Sequence, residues 1–116
     1  MGKLKALSDH NFDRVVGKAK RPLVVEFCAP SSESCLAIAP IVEELANEYQ
    51  GKVDFVTINV DKNHKAASAY GIMNIPALLV FEDGALTKQI VGLRPKKQLK
   101  RLLNISLHSA AEAGSP

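Results

Sequence analysis

Two apolar-rich segments constrain the fold of this chain more than any other feature. Leu23 to Phe27 is a near-continuous apolar run interrupted only by Glu26, and Val53 to Val60 is the second segment that is expected to form a buried strand. Runs of this length suit central strands that are buried on both faces. The segment between them has an apolar stripe at helical spacing and contains Pro40, which removes one backbone donor and predicts a kink. The pattern predicts a βαβ unit.

The rest of the chain continues this alternation of elements. The predicted elements are an edge strand near Leu4, a helix from an N-cap at Ser8 to about Lys18, a short helix from an N-cap at Asp61 to Tyr70, strands Ala77 to Glu82 and Leu86 to Val91 around an Asp83-Gly84 turn, and a helix from Pro95 to about Leu107. A βαβ half joined to a ββα half predicts an α/β fold, a central mixed sheet with helices on both faces. At 116 residues the chain is one domain. We expect that domain to span residues 1–108, with a disordered tail at 109–116.

Charge and composition exclude several functional classes. The formal charge is +3, and much of the excess lies in Lys96, Lys97, Lys100 and Arg101. No aromatic residues interleave these cations, so a solvated helix face is expected rather than nucleic-acid binding. No apolar segment is long enough to span a membrane, and residues 1–5 lack the apolar core of a secretory signal. These features predict a cytoplasmic monomer with no membrane or nucleic-acid partner.

The only two cysteines flank a predicted strand-to-helix turn. Cys28 ends the first buried strand, and Cys35 falls at the start of the next helix. Ser31 or Ser32 is expected to cap this helix, with Glu33 near its positive end. Thiol–disulfide chemistry often occurs at such a helix N-terminus, because it stabilises a thiolate. The spacing is Cys-x6-Cys rather than Cys-x-x-Cys.

Several motifs, taken in order, resemble those of the thioredoxin family over roughly residues 7–107. They are Val-Val-Glu-Phe at 24–27, Cys35 followed by Ala39-Pro40, Val56-x-Ile58-x-Val60-Asp61, Tyr70-Gly71-Ile72, Ile75-Pro76-Ala77-Leu78-Leu79-Val80-Phe81, Asp83-Gly84 and Val91-Gly92. The resemblance implies a thioredoxin fold and thiol–disulfide exchange with protein cysteines in redox homeostasis. It also implies a reductant, either a thioredoxin-reductase-like protein or glutathione, and no cofactor.

The resemblance also implies roles for matching residues. Ile75-Pro76 matches a cis-proline loop that faces the active-site sulfurs and pairs with the substrate backbone, and Gly92 matches a glycine that lets a partner approach. Glu26 matches a buried carboxylate that serves in proton transfer, here with one more methylene than the usual Asp. Cys35 matches the buried, resolving cysteine.

The attacking cysteine of the family is missing. Ser32 occupies its position, Ser34 replaces the usual proline, and Cys28 stands where a tryptophan is typical. A serine hydroxyl neither attacks a disulfide as a thiolate does nor forms one. The segment from Ser31 to Pro40 also resembles the Ser-x-x-Cys site in the thioredoxin domain of bacterial chaperone–thioredoxin hybrids.

Three interpretations of the cysteines stay open from the sequence. Cys28 and Cys35 are a relocated redox pair, which requires Cα atoms within ~7 Å. Alternatively, Cys35 alone captures clients as mixed disulfides through the cis-proline groove. In the third, both cysteines are inert small hydrophobes in a non-catalytic binding module. The predicted catalytic set is Cys35, Cys28, Glu26 and Ser32, and we expect a weak or atypical oxidoreductase.

A metal centre is not expected. Structural zinc needs four closely spaced Cys or His ligands, whereas the three histidines are scattered at His10, His64 and His108. Ser32 has no histidine close in sequence to act as its base, so hydrolysis is not expected either.

Overall fold

The computed structural model describes residues 4–113, which form five strands in one mixed sheet and four helices. The elements are β1 (Lys5–Leu7), α1 (Phe12–Lys18), β2 (Leu23–Cys28), α2 (Glu33–Glu48), β3 (Asp54–Asn59), α3 (His64–Ala69), β4 (Ala77–Glu82), β5 (Ala85–Val91) and α4 (Lys96–Ala113). The strand order is β1-β3-β2-β4-β5. β1, β3 and β2 are parallel, and β4 and β5 continue the sheet as antiparallel strands. The predicted fold class is confirmed.

The central strand β2 separates two hydrophobic clusters. Because side chains alternate along a strand, Leu23, Val25 and Phe27 face one side and Val24, Glu26 and Cys28 face the other. The first three belong to a cluster with residues of α1, α3 and β4. On the second side, Val24 is packed in a cluster with residues of α2 and α4, and Cys28 lies against that cluster. Glu26 and Cys28 therefore lie on the face that α2 covers.

The start of α1 differs from the prediction. Ser8 is not the N-cap, because the helix begins at Phe12 with Asn11 at the cap position. A turn precedes the helix: the Ser8 amide donates to Asn11 Oδ1 at 2.8 Å, and the Phe12 amide donates to the Ser8 carbonyl at 2.9 Å. The predicted end of the helix at Lys18 is confirmed.

The start of α3 is also later than predicted. The helix begins at His64 rather than Asp61, so Asp61 is not its N-cap. Asp9, far away in sequence, accepts from the amides of Lys65 and Ala66 at 3.0 and 2.8 Å. These are first-turn donors that need a partner from outside the helix. A residue between β1 and α1 thus caps α3.

The last helix continues beyond the predicted end near Leu107. It includes residues 109–113 of the expected tail, and 114–116 lie outside the described residues. Near its start, Lys96 forms ion pairs with Glu44 and Glu48, and Lys100 pairs with Glu48 at 2.8 Å. Two cations of the basic helix are therefore paired with acids of α2. None of the helices in the described part of the chain is both long and apolar enough to cross a membrane.

Candidate active site

Three of the predicted catalytic residues line a single cleft. Glu26 and Cys28 reach it from β2, and Cys35 reaches it from the first turn of α2. The connection between these elements is short, and the Ser32 amide donates to the Ala29 carbonyl at 3.1 Å. This turn carries the chain directly from the end of β2 into the helix that covers the same face. Strand alternation and one tight turn are sufficient to bring the carboxyl and both sulfurs together.

Glu26 is the only buried charged residue among those the structure describes, with 7% of its surface exposed. Burial raises the pKa of the Glu26 carboxyl, because desolvation disfavours the charged form. Contacts with the side chains of Thr57 and Cys28 offset part of this shift, and Glu43 adds to it. A carboxyl with a raised pKa is suited to accepting and returning a proton near neutral pH.

Both cysteines are free thiols in the structure. Cys35 is buried, with 5% exposure, and Cys28 is half-buried. Burial raises the pKa of the Cys28 thiol well above its usual range, and contacts with Cys35 and Glu26 act in the same direction. Cys28 therefore holds its proton while facing both a second sulfur and a carboxyl. The carboxyl and the two thiols thus line the same cleft.

Ser32 has a structural role that its sequence position predicted. It is the N-cap of α2, and its Oγ accepts a hydrogen bond from the Cys35 amide at 3.2 Å. A serine N-cap satisfies one of the unpaired amides at a helix start. Leu36, the residue after Cys35, is apolar but 64% exposed.

The predicted substrate-binding residues lie together at the start of β4 and the end of β5. The Ile75–Pro76 peptide is cis, and Pro76 is buried. The Gly92 amide donates to the Pro76 carbonyl at 2.8 Å, and Gly92 has a φ of +98°. Most side chains adopt that backbone conformation only with strain, which explains a glycine there. None of these three residues lines the cleft that contains the cysteines.

Sequence reasoning missed four residues that complete the cleft. They are Ala6 of β1, Ala39 of α2, and Thr57 and Asn59 of β3. The Thr57 hydroxyl also donates to the Glu26 backbone carbonyl at 3.2 Å. The register pairs Glu26 with Thr57 and Cys28 with Asn59, so alternation in β3 would have placed both residues beside the cysteines once the strand pairing was known.

No group of three or more His, Cys, Asp and Glu side chains suited to a metal ion occurs in the part of the chain that the structure describes.

Replacing Glu26 by glutamine is expected to change how stability depends on pH. Below the unfolded-state value of 4.5, the carboxyl is protonated in both states and has no effect. As pH rises, the unfolded chain loses this proton first, so the native protein is progressively destabilised until the folded-state pKa is passed. The loss is about 1.4 kcal/mol for each unit by which the folded pKa exceeds the unfolded one.

The measurement is the free energy of unfolding by urea between pH 4 and pH 8 for wild type and Glu26→Gln. The difference between them should grow with pH in favour of the variant. Parallel curves would show that the Glu26 carboxyl titrates normally in the native protein.

Comparison with known proteins supports the assignment that fold and site suggest. A family model described as Thioredoxin matches residues 3–105. The chain is 43% identical over 97 residues to thioredoxin C-2 of Corynebacterium nephridii, an alignment that covers 84% of this chain and 90% of the relative. It is 38% identical over 97 residues to thioredoxin 1 of Nostoc sp., with 84% and 91% covered. A thioredoxin of Synechocystis sp. is 39% identical over 97 residues, with the same coverage of 84% and 91%. These similarities are consistent with the sheet order and the cis-proline segment described above. The chain belongs to the thioredoxin family.

Proposed function

We propose that this protein is a thiol–disulfide oxidoreductase whose redox pair is Cys28 and Cys35, with Ser32 serving as a helix cap. Membership of the thioredoxin family supports the general activity, exchange with protein disulfides. The observation that carries the specific proposal is that both cysteines line one cleft with Glu26. Cys35 is also among the groups that raise the pKa of the Cys28 thiol, which supports the proximity of the two side chains.

The reaction transfers two electrons from the protein dithiol to a substrate disulfide. One protein sulfur attacks the substrate disulfide and releases the first substrate thiol. The second protein sulfur then attacks the mixed disulfide, releases the second thiol and leaves a Cys28–Cys35 bond. Glu26 is proposed to take up the proton of Cys28 and pass it on, which the contact between these side chains supports.

The surface around Ile75, Pro76 and Gly92 is the proposed docking site for protein substrates. Next to it, Met73 is 90% exposed and Val91 is 37% exposed, and both offer apolar contact area. The proposed setting is the cytoplasm, where a monomer is kept as a dithiol by a thioredoxin-reductase-like protein or glutathione. A reducing compartment suits the free cysteines of the structure.

A client-capturing protein that uses Cys35 alone is the alternative function. The 5% exposure of Cys35 argues against it, because a client disulfide must reach the attacking sulfur. Cys28 lines the same cleft and is half-buried rather than buried, which favours the pair.

The test is a count of free thiols by intact mass after mild oxidation and denaturing alkylation. We expect no alkylated cysteine before reduction and two after it, at monomeric mass. Cys28→Ser and Cys35→Ser should each retain one reactive thiol and form no internal bond. Two free thiols in the oxidised wild type would overturn the redox pair.

A further inference from the structure

A groove lies at the other end of the sheet from the cysteines. Its volume is about 490 Å³, which falls in the range of small-molecule pockets in proteins. Leu23, at the start of β2, lines this groove, whereas Cys28 ends the same strand roughly 17 Å further along. Val15 and Ala19, which also line it, pack against the hydrophobic cluster that contains Leu23, and Cys28 packs against the cluster on the other face. The groove is therefore separated from the cysteine cleft both along β2 and across the sheet.

The floor of this groove is apolar. Leu23 and Val56 are buried residues of neighbouring strands, and the half-buried Val15 and Ala19 lie beside them on the side of α1. Phe55 is the only aromatic residue among the described residues that line the groove, and it is 8% exposed. A nucleic-acid strand needs exposed aromatic faces on which its bases can stack. This floor instead suits the hydrocarbon part of a small molecule, which gains free energy when it leaves water.

Four exposed cations surround the apolar floor, and we call the whole feature the basic groove. They are Lys5 of β1, Arg14 and Lys18 of α1, and Lys20. Arg14 and Lys18 are four residues apart and therefore lie on one face of α1. Lys5 is the register partner of Val56, so both side chains belong to the same face of the sheet. None of the four cations forms an ion pair with another residue in the part of the chain that the structure describes.

The acidic residues nearby do not neutralise these cations. Asp54 is the only acid among the described residues that line the basic groove, and its carboxylate already lies 3.3 Å from the guanidinium of Arg21. Asp13, the acid of α1, lines a different cavity together with Asp9 and Tyr70. Four positive charges in the lining therefore face one carboxylate that is already paired. An anion that enters the groove meets a complementary potential.

We propose that the basic groove binds a small organic phosphate, a phosphomonoester joined to an apolar ring or chain. A phosphomonoester carries about −1.5 to −2 charges at pH 7 and three acceptor oxygens, so it can pair with several of the cations at once. Arg14 supplies a planar guanidinium whose donors match two phosphate oxygens. The apolar part of the ligand covers Leu23 and Val56. The inference is independent of the proposed redox pair, because no residue that lines the groove also lines the cysteine cleft.

The test is isothermal titration calorimetry of the full chain, reduced with dithiothreitol, against three probes. They are 1-naphthyl phosphate, 1-naphthol, which keeps the ring without the phosphate, and inorganic phosphate, which lacks the ring. We expect 1-naphthyl phosphate to bind at least about tenfold more tightly than either simpler probe. Raising the ionic strength should weaken its binding, because the cations are exposed and salt screens them. Equal affinity for 1-naphthyl phosphate and either simpler probe would overturn the proposal.

Two charge-matched double variants test whether the groove itself holds the phosphate. Lys5→Gln with Arg14→Gln removes two cations from the lining, whereas Lys97→Gln with Arg101→Gln removes two exposed cations from α4, which packs on the other face of the sheet. Both double variants lower the net charge by the same amount, so they weaken long-range attraction equally. The groove variant should lose about tenfold in affinity for 1-naphthyl phosphate, and the α4 variant should lose less than about twofold. Equal losses would show that the net charge of the molecule, and not the groove, attracts the anion.

Backbone amide NMR shifts of the wild-type protein locate the ligand without any substitution. Titration with 1-naphthyl phosphate should shift the amides around Arg14, Leu23 and Val56 and leave those of Cys28 and Cys35 unchanged. Shifts centred on the two cysteines would place the ligand in the cysteine cleft and overturn the basic groove as its site. Since every titration uses the reduced protein, that result would leave the redox pair standing, and failure of the Cys28–Cys35 bond to form would leave the groove standing.

Discussion

Replacing Ser32 by cysteine is expected to raise the rate of insulin disulfide reduction at least about 100-fold over the wild-type protein. Ser32 Oγ lies 3.2 Å from the Cys35 amide at the start of a helix of 16 residues. A sulfur in that position would lie at the positive end of the helix, where a thiolate is stabilised. Residue 32 is half-buried and Cys35 is buried, so the variant would combine an accessible attacking sulfur with a buried resolving one.

The measurement is dithiothreitol-coupled precipitation of insulin, with Ser31→Cys as the matched control. Residue 31 is exposed and is not the cap of α2, so a cysteine there adds a thiol without placing it at the cap position. Losing the serine cap costs about 1 kcal/mol, and a thermal melt will show that the variant remains folded. If Ser32→Cys reduces insulin no faster than Ser31→Cys, the differences at Ser34 and Cys28 have altered the site more deeply than one atom.

The parts of the site that depend on local rules were predictable from the sequence. Alternation along β2 placed Glu26 and Cys28 on one face, and the serine before the helix identified its N-cap. The strand Ala77–Glu82 and the turn after it followed from an apolar run and an Asp-Gly pair. Each of these features is determined by residues close together in the chain.

The parts that depend on distant residues were not predictable in the same way. Asp9 caps α3 although it lies 57 residues before Ala66 in the sequence. No sequence pattern near His64 predicts that so distant a residue caps this helix. Asp61 carried the local signal for a cap, but its own amide instead donates to Asn59 Oδ1 at 2.9 Å. The cleft likewise combines Ala6, Ala39 and Thr57 from three elements, and its existence follows from strand order. Strand order is a tertiary property that single-sequence patterns leave open.

Truncating Phe81 to alanine is expected to lower the free energy of unfolding by about 3–5 kcal/mol. Phe81 is 1% exposed in β4, on the sheet face opposite the cleft. Its ring centroid lies 5.4 Å from that of Tyr70 and 6.1 Å from that of Phe12, both in edge-on geometry. The substitution therefore removes apolar burial and two aromatic contacts together, and leaves a cavity that a β-sheet cannot easily close. The free energy of unfolding of such domains is only about 5–15 kcal/mol, so Phe81→Ala is expected to remove a large fraction of it.

Urea unfolding of Phe81→Ala, Phe81→Leu and Leu86→Ala will measure this contribution. Phe81→Leu keeps most of the volume and should cost less than the alanine variant, and Leu86, which is 41% exposed, should change stability by no more than about 0.5 kcal/mol.

Because Phe81 and Glu26 belong to opposite faces of the sheet, the effects of Phe81→Ala and Glu26→Gln should add to within about 0.5 kcal/mol. The folded fraction of Phe81→Ala should still form the Cys28–Cys35 bond at the wild-type rate. A slower rate, or a coupling energy well above about 0.5 kcal/mol, would show that the aromatic cluster and the cysteine cleft are energetically coupled through β2.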